Sequence, residues 1–202
     1  VGGSLQVAGL SEWIWSSVLR NPAQQSPAPH FRALSRIGGE VNLYECVFQP
    51  NGDVFGALEY VGQSMWLNSL YWQSNSFRMM PVLGEVLGHL EINNLRPGDV
   101  DGTRRCITSM DGWFSNLTNV RSGVVFNSNE PIRNLGTGFL ALETVGGTLS
   151  VYNNQNLGDI TDPGLNSLNR VGSFNIHNNP SLVVCSTLGN RFRSSISASQ
   201  SP

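Results

Sequence analysis

An all-β fold, a right-handed parallel β-solenoid of about seven turns with one short inserted helix, is what this sequence predicts. Three observations carry the prediction. One motif recurs along the chain, its apolar residues alternate in short runs, and small polar residues stand where charge is usual. The motif is clearest in Leu142–Asn154, LETVGGTLSVYNN, and returns in Leu168–Asn179, LNRVGSFNIHNN. Its register residues are Val1, Ile37, Val61, Val86, Val120, Val145 and Val171, with spacings of 36, 24, 25, 34, 25 and 26. A repeat of about 25 residues with two insertions of about ten is the mark of stacked coils.

Each coil reads F-x-x-L-x-x-V-x-G-x-L-x-I-x-N-N. Phe139, Leu142, Val145, Leu149 and Val151 fill it best. Phe114, Leu117, Val120, Val124 and Phe126 fill the preceding copy. The copies headed by Phe31, Phe55, Met80 and Leu165 follow the same pattern, the last with one residue deleted before Phe174. The L-x-I segment alternates with period two, so it predicts a short strand with one face inward. The F-x-x-L-x-x-V segment has spacing three, as in a helical or 3₁₀ turn aimed at the same core. Glycine at the bend between them is expected to allow a sharp change of direction. Asparagines close each strand, and Asn68, Asn94, Asn127, Asn154 and Asn179 are read as a ladder of side-chain amides between stacked turns. The alternative is a flat asparagine face for a sugar or ice.

The solenoid is expected over 1–185, interrupted at about 10–30 and about 96–111. In the first interruption Leu10–Arg20 reads as an amphipathic helix with Ser11 as N-cap and Trp13, Ile14 and Val18 on one face. Pro22, Pro27 and Pro29 make Asn21–Phe31 an extended loop, in which Ser26, Pro27 and Pro29 are candidates for O-linked sugar. Asn116-Leu117-Thr118 is an N-glycosylation sequon. Asn116 lies between inward Phe114 and Leu117, so it is expected to face solvent. Residues 186–202, ending SSISASQSP, read as a Ser/Pro-rich tail or linker.

Charged residues are 13% of the 202, and the net charge is −2. No basic patch exceeds Arg104-Arg105, which argues against nucleic acid as a partner. All twelve basic residues are arginine, so the lysines that usually blunt exposed sheet edges are missing. No 18-residue apolar run exists, so no membrane span is expected. The chain opens on Val1 without a signal peptide and reads as a processed piece of a longer product. Cys46, Cys106 and Cys185 fall at different phases of the repeat. Buried thiols are the default, with a Cys106–Cys185 bridge open if the second insertion folds back. No spacing suggests a metal, and no cofactor is expected. The acidic residues never recur as a pair at one phase of adjacent turns, and His30, His89 and His177 are dispersed. Catalysis is therefore not expected.

The motif L-x-x-V-x-G-x-L-x-I-x-N with a following N-x-x-L, as in Asn179–Leu182, resembles the receptor L-domain family. These are the leucine-rich-repeat-like right-handed β-helical modules of insulin-type and epidermal-growth-factor-type receptor ectodomains and of fungal wall proteins. The resemblance covers roughly Phe31 to Val184. It implies a solenoid fold and an extracellular or cell-surface setting, and it carries no catalytic residues. The cysteine-rich ends of receptor members are missing. The expectation is an extracellular structural module, glycosylated and stacking end to end with other copies of itself or with neighbouring domains. A ligand-binding piece of a receptor-like ectodomain and a carbohydrate-active β-helix are the alternatives.

Overall fold

The computed structural model describes residues 3–8, 31, 33–48, 55–72, 78–100, 103–105, 107–160 and 163–183. The fold is an all-β solenoid of parallel strands. Its longest face stacks seven rungs in sequence order. They are β1 (Leu5–Ala8), β3 (Val41–Tyr44), β6 (Met65–Asn68), β9 (Leu90–Asn93), β13 (Val124–Asn127), and the second halves of β14 (Thr144–Tyr152) and β15 (Arg170–His177). A shorter face stacks β2 (Arg36–Ile37), β5 (Tyr60–Val61), β8 (Glu85–Val86), β12 (Asn119–Val120) and the first halves of β14 and β15. Ile37, Val61, Val86, Val120, Val145 and Val171 thus lie above one another, as their spacing requires.

Seven register residues predicted about seven turns. Five complete turns join Ile37 to Val171, and β1 adds the seventh rung on the long face alone. The sequence count was of rungs, and n rungs enclose fewer than n turns. Val1 itself, the proposed helix at Leu10–Arg20 and the tail at 186–202 lie outside the described residues. The second interruption is a hairpin of β10 (Arg96–Val100) and β11 (Thr103–Arg105). Before it, β4 (Val47–Phe48), β7 (Tyr71–Trp72) and β10 form a third face. Later turns reduce that face to the single bridges Ser109–Asn134 and Asn134–Asp159.

The spacing of three in F-x-x-L becomes one hydrogen-bonded turn in every copy. The N–H of Leu34, Leu58, Leu83, Leu117, Leu142 and Leu168 donates to the carbonyl of Phe31, Phe55, Met80, Phe114, Phe139 and Leu165, respectively. The turn points both apolar residues inward, so the rings stack along the solenoid axis. Phe31 and Phe55 lie 4.9 Å apart, and Phe114 and Phe139 5.4 Å apart. On the long face Leu90, Ile92, Val124, Phe126, Leu149, Val151 and Phe174 are buried, as period two predicts. Ile176 is only partly covered.

The bend glycines act differently from the sequence expectation. None of those between the two strand faces has a positive φ. They are small because successive coils touch there. A Cβ on Gly62 would fall on the Gly38 carbonyl, and one on Gly146 on the Arg121 carbonyl. Gly146-Gly147 also hosts the register shift opposite the deletion before Phe174.

Candidate functional site at the asparagine corner

The chain turns out of the long face through one left-handed residue per turn. These are Glu45, Ser69, Asn94, Ser128, Asn153 and Asn178, all with φ between 52° and 59°. Asparagine tolerates this region best among residues with a side chain, and three of the six are asparagine. Their outward side chains, with those of the preceding strand ends, form a surface row. Asn94 donates to Ser69 Oγ at 2.9 Å, Asn153 to Asn127 Oδ1 at 3.3 Å, and Asn178 to Asn153 Oδ1 at 3.2 Å.

The next position of the corner points inward. Asn129, Asn154 and Asn179 occupy it in the last three turns, with Asn129 and Asn154 fully buried. The Asn129 N–H donates to Asn154 Oδ1 at 2.9 Å, and the Asn154 N–H to Asn179 Oδ1 at 3.0 Å. Below them the Leu95 N–H donates to Asn129 Oδ1 at 3.0 Å. Each amide nitrogen bonds a carbonyl of the rung beneath. Asn129 reaches Ile92 O at 2.8 Å, Asn154 reaches Phe126 O at 3.0 Å, and Asn179 reaches Val151 O at 2.8 Å. This is an internal amide ladder of backbone and side chain together.

The five residues read as one ladder therefore divide over three positions. Asn154 and Asn179 are in the inner ladder and bond each other at 3.0 Å. Asn94 is at the left-handed corner, and Asn68 and Asn127 end their strands and share one register position. Counting asparagines at strand ends conflated three consecutive sites, and Asn129 was missed. The N-x-x-L motif would have found it. Asn129, Asn154 and Asn179 each precede by three the apolar residue Ile132, Leu157 or Leu182, whose N–H returns to the asparagine carbonyl.

Asn116 is exposed between buried Phe114 and Leu117. The Thr118 hydroxyl of its sequon donates to the Gly84 carbonyl at 3.0 Å. Ser26, Pro27, Pro29, His30, Cys106 and Cys185 lie outside the described residues. The buried Cys46 occupies the inner corner position, where its thiol lies 3.5 Å from Tyr44 O. His177 stacks on Tyr152 at 5.0 Å, and His89 is exposed.

Charged groups on the turns act as fasteners between coils. Asp111 accepts from the Ser109 hydroxyl at 2.7 Å and the Thr137 N–H at 2.9 Å. The Ser109 bond chiefly holds its carboxyl below the usual range, against a smaller opposing effect of burial, with the Thr137 N–H and hydroxyl adding to the lowering. Glu85 accepts from Asn119 at 2.8 Å and lies 3.5 Å from Arg121 Nε. Among the described residues no group of three His, Cys, Asp or Glu could hold a metal, and no helix is long and apolar enough to cross a membrane.

Core side chains that stay partly exposed gather at the two ends of the stack. Leu5, Phe31 and Leu34 mark one end, and Val171, Ile176 and Leu182 the other. Their counterparts in the inner turns, such as Leu58, Val86 and Val151, are fully buried. No family model matches this chain, and no curated protein or solved structure matches it.

Proposed function

We propose that this chain is a non-catalytic structural module that associates end to end with other copies of itself outside the cell, carrying a glycan on Asn116. The observation that carries the reading is the placement of the partly covered apolar core residues at the two opposite ends of the stack. Leu5 shares its register position with Phe174, and Leu34 shares its place in the turn with Leu168. A second copy placed on the last rung would therefore meet a surface built like the one its neighbour already covers. Such a contact is heterologous, and when it does not close it propagates into a filament. Exposed parallel edges with arginine as the sole basic residue favour it, because lysine is the common edge defence. Asn116 supports the glycan through its exposure, and the sequon threonine sits on the same turn.

Sedimentation velocity and electron microscopy over a concentration series test the assembly. The expected result is mass that rises with concentration and fibres with a subunit rise of roughly 34 Å, seven rungs at about 4.8 Å. Ile176→Arg should abolish both while the far-UV spectrum stays that of a folded solenoid. A monodisperse monomer at high concentration, or an Ile176→Arg protein that assembles as before, refutes the reading. Intact mass of native material tests the glycan, and a bare 22.0 kDa chain counts against it.

A further inference from the structure

A second surface, on the side of the solenoid away from its ends, has the character of a ligand site. Where the hairpin leaves the stack, an open cleft of about 430 Å³ lies beside the asparagine corner. Tyr71, Asn94, Arg96, Pro97, Ser128 and Glu130 line it, above the buried Leu95. Its size is that of a pocket for one or two small rings.

The chemistry of the lining is mixed in a specific way. Arg96 Nε donates to Asn94 Oδ1 at 3.1 Å, and the Asn94 amide donates to Ser69 Oγ at 2.9 Å. These bonds fix the guanidinium at its Nε edge, and among the described residues its terminal nitrogens enter no ion pair. Glu130 is exposed on the same cleft and is likewise unpaired with Arg96. Arg96 and Glu130 thus line one cleft without forming an ion pair with each other. Ser128, whose hydroxyl donates to Asn127 Oδ1 at 2.9 Å, and Asn94 line the same cleft, and Tyr71 supplies an aromatic side chain.

An anion would be attracted by Arg96 and repelled by Glu130, and a cation the reverse. A neutral ring bearing adjacent hydroxyls suits both, because each hydroxyl donates and accepts. The guanidinium can donate to two neighbouring oxygens, the carboxylate can accept from two neighbouring hydroxyls, and an aromatic face can pack on the C–H face of the ring. We infer that the Tyr71–Arg96–Glu130 cleft binds a neutral saccharide unit of an oligosaccharide chain.

Isothermal titration and saturation-transfer NMR on the whole protein test this. The probes are hexamers of β-linked glucose, mannose and galacturonate. Saturable binding of a neutral hexamer is expected, with Tyr71 as a point of magnetisation transfer. Arg96→Ala and Glu130→Ala should each weaken it about tenfold or more, the loss of one charge-assisted hydrogen-bonding group. Arg133→Ala, away from the cleft, should leave it unchanged, and thermal melts should show all three variants folded. Absence of saturable binding by all three hexamers overturns the inference. So does binding that survives Arg96→Ala. Binding by galacturonate alone, strengthened by Glu130→Gln, overturns the assignment of a neutral ligand. Because Ile176→Arg leaves this cleft untouched, loss of assembly and loss of sugar binding are separately readable.

Discussion

Removing the Asn154 side chain should be among the most damaging polar substitutions in this protein. Asn154 is fully buried, and its amide bonds the Asn129 N–H and the carbonyls of Phe126 and Tyr152. In Asn154→Ala the Asn129 N–H loses its acceptor inside the stack, and Phe126 O loses the side-chain donor it has beside its strand pairing with β14. An orphaned buried polar group costs about 1–3 kcal/mol. One such group, the lost bond to Phe126 O and the vacated volume together give about 2–4 kcal/mol. Asn154→Leu separates packing from bonding. Leu70 and Leu95 occupy the same corner position in earlier turns, so leucine fits its shape. It still leaves the Asn129 N–H unpaired, and should cost about 1 kcal/mol or more. Urea titration followed by tryptophan fluorescence, at concentrations where the protein is monomeric, measures both. The reasoning fails if Asn154→Leu unfolds within about 0.5 kcal/mol of the parent at an unchanged m-value. The ladder would then be decoration on a core that packing alone sustains.

Three further outcomes are expected. Phe139→Ala, at a buried ring stacked 5.4 Å from Phe114, should lose about 3–5 kcal/mol in the same titration, and a loss under about 1 kcal/mol would contradict the stacked-turn register. Gly62→Ala should destabilise far more than an alanine at an open surface site, because its Cβ falls on the Gly38 carbonyl; an unchanged midpoint would show that the coils can part there. Asp111 has a folded-state pKa below its unfolded value, so its contribution is present above the unfolded value and is lost as pH falls through the folded one. Asp111→Asn should therefore lower the midpoint at pH 7 and narrow the difference between pH 7 and pH 3; equal pH dependence in both proteins would remove the carboxylate from the account.

Much of the fold was legible because the coil repeats its apolar residues at fixed phase. Ile37, Val61, Val86, Val120, Val145 and Val171 could be aligned by eye, and each F-x-x-L became the same turn. The corner was less legible for a physical reason. Its left-handed site accepts Glu45, Ser69 and Ser128 as well as asparagine, since the backbone there is enforced by the stack on both sides. Sequence identity at that site is therefore loose, and neighbouring asparagines cannot be assigned by composition. The glycines misled in a different way. Gly62 and Gly146 are required by the approach of a neighbouring coil, a long-range contact that a local reading of the bend cannot contain.

The change of corner chemistry along the stack follows from the third face. In the early turns the inner corner holds Cys46, Leu70 and Leu95, and the chain continues directly into a strand of that face. Its backbone is satisfied by its neighbours, as in Tyr71 N–H to Cys46 O at 2.9 Å and Arg96 N–H to Leu70 O at 3.0 Å. An apolar side chain is then the best occupant, because the corner has few polar groups left to serve. After the hairpin the third face shrinks to single bridges, and the corner backbone must find partners elsewhere. Asn129, Asn154 and Asn179 appear at that point, each accepting from a main-chain N–H of the preceding turn and donating to a carbonyl of that same turn. Cys46 already makes a weak version of one such bond. Its thiol lies 3.5 Å from Tyr44 O, where Asn154 donates to Tyr152 O at 2.9 Å and Asn179 to His177 O at 2.9 Å. The asparagines therefore stand in for a missing strand. Where the solenoid keeps three faces, hydrogen bonds between main chains close the corner. Where it keeps two, side-chain amides do.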